Sequence, residues 1–123
     1  MKYTRIYADT DGESHFEDVE VDMKQAPYNT GTISEMIAAR GVMFRLTRDY
    51  FIDWHNAPRR QFVVNLTGTV EIVASDGEKR RLGPGSILLA DDLTGKEHTS
   101  RGLGGEERLS LFIPLANQKL TSA

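Results

Sequence analysis

A chain of 123 residues is long enough for one hydrophobic core and too short for two domains. Hydrophobic residues at 39% and charged residues at 27% suit a globular protein, and a net charge of −3 argues against a general nucleic-acid or membrane-surface role. The absence of cysteine excludes disulfides, thiolate catalysis and cysteine-ligated metals. No run approaches the ~20 apolar residues of a membrane span, and the start Met1-Lys2-Tyr3-Thr4-Arg5 lacks the apolar stretch of a signal peptide, so the cytoplasm is the expected location.

In chain order, Tyr3–Tyr7 reads as a first strand. Residues 9–31 hold Asp9, Asp11, Gly12, Pro27, Asn29 and Gly31 around one strand, His15–Val21. Ile33–Arg40 has some helical propensity, but Gly41 closes it and another strand follows at once, so a strand is predicted. Val42, Phe44 and Leu46 alternate with Met43, Arg45 and Thr47. Phe62, Val64 and Leu66 alternate with Gln61, Val63 and Asn65. Val70 and Ile72 alternate with Thr69 and Glu71, and Leu109, Leu111 and Ile113 with Ser110 and Phe112. Each alternation predicts a half-buried strand. Turn signals fall at Thr67-Gly68, Asp76-Gly77, Gly83-Pro84-Gly85 and 102–105; the pair Asp76-Gly77 predicts a tight type I′ hairpin. Arg80-Arg81 reads as a solvated strand end. Strands at this spacing predict an all-β sandwich or barrel, with no internal repeat, low-complexity segment or linker.

The chemistry-bearing residues fall in two blocks. In the first, Trp54-His55-Asn56-Ala57-Pro58-Arg59-Arg60-Gln61 leads into a strand and reaches Gly68. In the second, Gly83-Pro84-Gly85 precedes an apolar strand ending at Ala90, and Gly95-Lys96-Glu97-His98 follows. This two-part pattern resembles the cupin superfamily. There the first motif runs Gly, His-x-His, three or four residues, Glu, six residues, Gly; the second runs Gly, a strand, Pro-x-Gly, two residues, His. His55, Gly68, Gly85, Gly95 and His98 match in kind, and Gln61 takes the Glu position. With a three-residue gap His55 is the first histidine and Ala57 replaces the second. With a four-residue gap Trp54 and Asn56 take the histidine positions and His55 points away. Together with Glu13-Ser14-His15-Phe16 and Asp92-x-Thr94-Gly95-Lys96-x-His98, the blocks look like those of small stand-alone bacterial cupin-domain proteins.

The resemblance implies a single-domain cupin-like β-barrel, a double-stranded β-helix or jelly roll. Residues 41–114 would form the barrel core, 1–40 would supply N-terminal strands and loops packing on it, and 115–123 a tail. It also implies that His55 and His98 converge inside. If Gln61 faces the interior, strand parity turns Val63 and Asn65 inward too. Two amides inside a strand need partners, so Gln61 and Asn65 are candidate pocket residues.

Histidine exchanges a proton near neutral pH, which suits His55 and His98 to serve as base and acid. Arg59 and Lys96 are expected at the mouth as fixed positive charges, with Asp91 and Asp92 orienting His98 or Lys96. Trp54 is read as a packing residue or a stacking wall against substrate. The expected function is an isomerase- or lyase-type enzyme acting next to a carbonyl. A second reading is a metal-dependent oxygenase or lyase, with one divalent ion (Zn, Mn, Fe or Ni) on His55, Gln61 and His98, and His15 or Glu13 completing the set. A third is a non-catalytic module for a sugar or organic acid. A homodimer is expected, with Phe62, Val64, Phe112 and Tyr3–Tyr7 as candidate contacts.

Overall fold

The computed structural model describes residues 1–119, and apart from one 3-10 turn at Pro27–Asn29 every regular element in it is a strand. The strands are β1 (Lys2–Ala8), β2 (Ser14–Glu20), β3 (Met23–Gln25), β4 (Thr32–Ser34), β5 (Met43–Thr47), β6 (Phe51–His55), β7 (Gln61–Asn65), β8 (Thr69–Ala74), β9 (Lys79–Leu82), β10 (Ile87–Asp91), β11 (His98–Leu103) and β12 (Arg108–Pro114). They form a six-stranded sheet in the order β2-β1-β10-β7-β12-β5, a four-stranded sheet β6-β11-β8-β9, and the small pair β3-β4. Only β1 and β10 pair in parallel; the other pairs are antiparallel. Ile6, Phe16 and Leu88 of the first sheet meet Val70, Ile72, Ala74 and Leu82 of the second in one buried cluster, so the two sheets face each other.

Most expected strands are found, with three corrections. The strand expected over Ile33–Arg40 is only Thr32–Ser34, followed by irregular chain to an isolated bridge between Ala39 and Leu115. It cannot lengthen, because its partner β3 stops at Gln25 before Pro27 and, at the other end, the Val21 amide is bonded to the Met1 carbonyl. The hairpin at Asp76-Gly77 exists, but it is not a two-residue type I′ turn. Only Gly77 has positive φ, and Asp76 instead accepts the Glu78 amide through its side chain. The segment from Leu115 is also not a free tail over its described part: Leu115 is buried and Gln118 bonds the Arg60 backbone, while 120–123 lie outside the described residues.

A further correction concerns which face is inside. In β5 and β12 the apolar set faces outward. Phe44 is 79% and Leu46 60% exposed, while Arg45 lines the interior. On β12, Arg108 and Ser110 are buried and Phe112 points inward with them, so Phe112 is not an outer contact residue. The interior is a polar cavity over this half of the molecule, and the apolar-in rule therefore assigns these two strands to the wrong face.

Two glycines bring distant segments together. A Cβ on Gly68, at φ +72°, would lie 2.9 Å from the Cβ of Arg108; a Cβ on Gly95, at φ +97°, would lie 2.5 Å from the Gly12 carbonyl oxygen. That oxygen accepts the Lys96 amide at 2.7 Å. Gly95→Ala combines a left-handed backbone with a clash against main chain, and is expected to cost about 2 kcal/mol or more in chemical denaturation. A loss under about 0.5 kcal/mol would show that the loop before His98 is not held this way.

Candidate functional site

Inward residues of both sheets enclose a cavity of about 270 Å³. Gln61 and Val63 enter from β7, Leu88 and Ala90 from β10, Phe112 and Arg108 from β12, Arg45 from β5, Val70 and Ile72 from β8, Ile52 and His55 from β6, and His98 and Ser100 from β11. Inward residues fall an even number of positions apart on β7, β8, β10, β11 and β12, whereas on β6 a register shift against β11 brings Ile52 and His55, three positions apart, to the same cavity.

His55 and His98 meet there. They are cross-strand partners on β6 and β11, with ring centroids 4.3 Å apart. His55 Nδ1 lies 2.7 Å from the Asp53 carbonyl oxygen, which can only accept, so this nitrogen carries the proton. His98 Nδ1 lies 2.5 Å from Oδ2 of Asp92, a carboxylate with no exposed surface. Both rings therefore leave Nε2 for the cavity. Ala57, rather than a second histidine, lines the wall beyond His55, and Trp54 turns outward, half exposed. His55, and not Trp54, therefore faces the cavity, and Trp54 does not pack in the core.

The loop that carries Asp92 to His98 is tied on several sides. The Asp92 carbonyl accepts from the Ala57 amide and from Asn56 Nδ2, both at 3.2 Å. Glu97, just before His98, has φ +75°, and its carbonyl accepts the hydroxyl of fully buried Ser14 at 2.8 Å. A non-glycine residue in this region is held by its surroundings at some energetic cost. Here it turns the chain so that His98 enters β11 facing inward.

At the far end of the cavity lies a group that sequence reading missed. Arg108 is buried, donates through Nε to Asn65 Oδ1 at 2.7 Å and through Nη1 to the Tyr50 hydroxyl at 3.3 Å. Tyr50 in turn meets Ser100 Oγ at 3.0 Å. Burial pushes the Arg108 guanidinium below its ordinary pKa range, and the neighbouring charge of Arg45 adds to the effect while Tyr50 opposes it. Arg45 lies over Tyr50 and Phe112, its guanidinium carbon 5.3 and 5.4 Å from their ring centres. Asn65 does not line the cavity as expected; its amide nitrogen donates to the Gly68 and Leu82 carbonyls, and its oxygen holds Arg108.

Other candidates lie elsewhere. Lys96 is exposed and pairs with Glu13 at 3.0 Å, away from the mouth. Arg59 does not line the cavity but donates to Gln61 Oε1 at 3.0 Å. Asp91, next to Asp92, points the other way and bridges Arg5 and Arg60, both at 2.9 Å. His15 is clamped between Asp9 and Asp76, and its hydrogen bond to the Asp9 carboxylate, with Asp76 adding to it, raises its pKa.

The donor set does not fit the expected metal centre. Among the described residues no three His, Asp or Glu side chains are grouped to hold an ion. Both nitrogens of His15 are engaged by carboxylates, and Glu13 is paired with Lys96. The Gln61 oxygen that would be the third ligand already accepts from a guanidinium, which repels a cation. Gln61→Glu would place a carboxylate beside Arg59 and within reach of both imidazoles. We expect it to lower the unfolding midpoint slightly through the cost of burying a charge. Added zinc, manganese or iron should raise neither midpoint; a large metal-dependent rise in either protein would reveal a metal site.

No helix of the described residues is long and apolar enough to cross a membrane. The chain matches no protein-family model and no curated protein.

Proposed function

We propose that this protein is a small-molecule enzyme of cupin-like architecture that moves a proton next to a carbonyl, by isomerisation, tautomerisation or elimination. The observation that carries this reading is the pair of imidazoles that share one cavity with their Nε2 atoms inward. His98 faces the Asp92 carboxylate through Nδ1 and His55 faces a neutral carbonyl, which fits His98 for the acid's role and His55 for the base's. His55 Nε2 then takes the proton from the carbon, and His98 donates from Nε2 to the carbonyl oxygen as charge develops there. Return of the proton from His55 to a neighbouring carbon, with the hydroxyl proton going back to His98, completes an isomerisation and resets both rings with no other reactant. Gln61 lines the wall as an orienting amide. The paired spacing of His55, Gly68, Gly95 and His98 and the two facing sheets support the cupin reading.

The test is α-proton exchange in D₂O over a panel of neutral ketones and oxo acids. The protein should catalyse exchange on at least one member, and His98→Asn and His55→Asn should each slow it by about 10²–10⁴-fold. Exchange that ignores both substitutions, or none above buffer, would refute the reading.

We also propose a homodimer. The outer row Phe44–Leu111–Val64, set by the strand register, ends on the open edge β5 at Phe44, the most exposed apolar side chain of the sheet. Tyr3 packs edge-on against Phe62 on the same sheet. Sedimentation at micromolar concentration should show a dimer that Phe44→Glu dissociates; a monomer before substitution would contradict it.

A further inference from the structure

We infer that the ligand of this cavity is a small carboxylate, bound through its anionic end by Arg108 and Arg45 with its carbon body directed towards His55 and His98; the inference rests on the cavity being the reaction site. Arg108 is 5% exposed and forms no ion pair with any described Asp or Glu. Its contacts are a neutral amide and a phenol. Arg45, on the same wall, has no carboxylate partner among the described residues either. The other buried arginine, Arg5, is paired with two acids, Asp91 and Glu17. Buried charge is ordinarily paired, and two guanidiniums that repel each other beside one cavity call for an anion in it.

A second, independent observation sits beside Arg108. The hydroxyls of Ser110 and Thr47 are buried without a hydrogen-bond partner, and the register places Thr47 opposite Arg108 and Ser110 opposite Arg45. Ser100 and Tyr50, linked to Arg108, line the cavity and form its polar end, while Thr47 and Ser110 sit beside Arg108 and Arg45 outside the lining. The middle, by contrast, is apolar: Val63, Val70, Ile72 and Leu88. Ser100 and His98 lie on one face of β11 two residues apart, so the anionic end and the imidazoles are separated by roughly 7 Å. That span fits a short carbon chain between a carboxylate and a reacting carbonyl. The forked guanidinium of Arg108 matches a carboxylate, and the small apolar middle leaves little room for the further donors a phosphate needs.

The probes are butyrate and hexanoate against the uncharged butyramide and hexanamide at matched ionic strength, with binding to the full chain read by NMR titration of the Ser100 amide. The acids should bind at least about tenfold tighter than the amides. Arg108→Met should abolish that preference by weakening acid binding far more than amide binding. Arg45→Met, at a half-buried position that tolerates substitution more readily, should reduce it about tenfold if Arg108→Met fails to fold. Equal binding of acids and amides, an acid preference that survives both substitutions, or inorganic phosphate binding tighter than either acid would overturn the inference. Binding is read without turnover. Acid capture with no histidine-dependent exchange would remove the proton-transfer reading alone, and exchange on neutral ketones with no acid preference would remove this one alone.

Discussion

Asp92→Asn should slow proton transfer by about 10²–10⁴-fold and barely change stability. The carboxylate has no exposed surface, one of its oxygens meets His98 Nδ1, and the other has no hydrogen-bond partner among the described residues. An amide of the same shape removes a buried charge and can still accept from Nδ1–H, so the unfolding free energy should move by less than about 1 kcal/mol. What is lost is the fixed negative charge facing His98 Nδ1 and the certainty of the ring's tautomer, because the amide can also donate to Nδ1 and turn the proton to Nε2. A purely structural Asp92 would show the reverse, with a large fall in midpoint and unchanged exchange. Unfolding and α-proton exchange measured on the same preparation separate the two.

The largest loss of stability is expected one residue earlier. Asp91→Ala removes a carboxylate with no exposed side chain that ties Arg5 of β1 to Arg60 before β7. Breaking a buried pair leaves its partners desolvated without compensation, at a cost of about 3–5 kcal/mol. For a domain of this size that corresponds to a midpoint lower by about 10 °C or more. Lys96→Ala breaks an exposed pair with Glu13 and should cost less than about 0.5 kcal/mol. If the two variants unfold alike, the buried bridge does not hold the sheet together.

The different fates of Asp91, Asp92 and Lys96 show what the sequence can and cannot convey. All three sit on one charged stretch before His98, and composition alone treats them as one solvated loop. A strand reverses its side chains at each residue, so Asp91 and Asp92 end on opposite faces, and Lys96 follows Gly95 outward to Glu13. The resemblance made the meeting of His55 and His98 legible, and its physical basis is that the two residues are cross-strand partners on the neighbouring strands β6 and β11 of one sheet. Parity made the inward set of Gln61, Val63 and Asn65 legible as well.

Arg108 stayed hidden for a physical reason. On β5 and β12 the larger apolar residues mark the outer face, so a reading in which apolar means interior discards Arg45 and Arg108. The signal that could have found Arg108 is its place two residues before Ser110 and four before Phe112, a face with the same mix of polar and apolar residues as Gln61–Asn65. Tyr50 and Ser100 were missed because neither β6 nor β11 shows a clean alternation. Asn65 was read as a ligand contact, although a buried amide is as readily satisfied by backbone carbonyls and a guanidinium.

The account depends most on two imidazoles that both carry a proton on Nδ1 and turn Nε2 into one cavity. With only three histidines in the chain, a long-range ¹H–¹⁵N imidazole spectrum at alkaline pH resolves each ring. His55 and His98 should both show the Nδ1–H tautomer, with cross-relaxation between the two rings. An Nε2–H tautomer at either one, or no contact between the rings, would contradict the account.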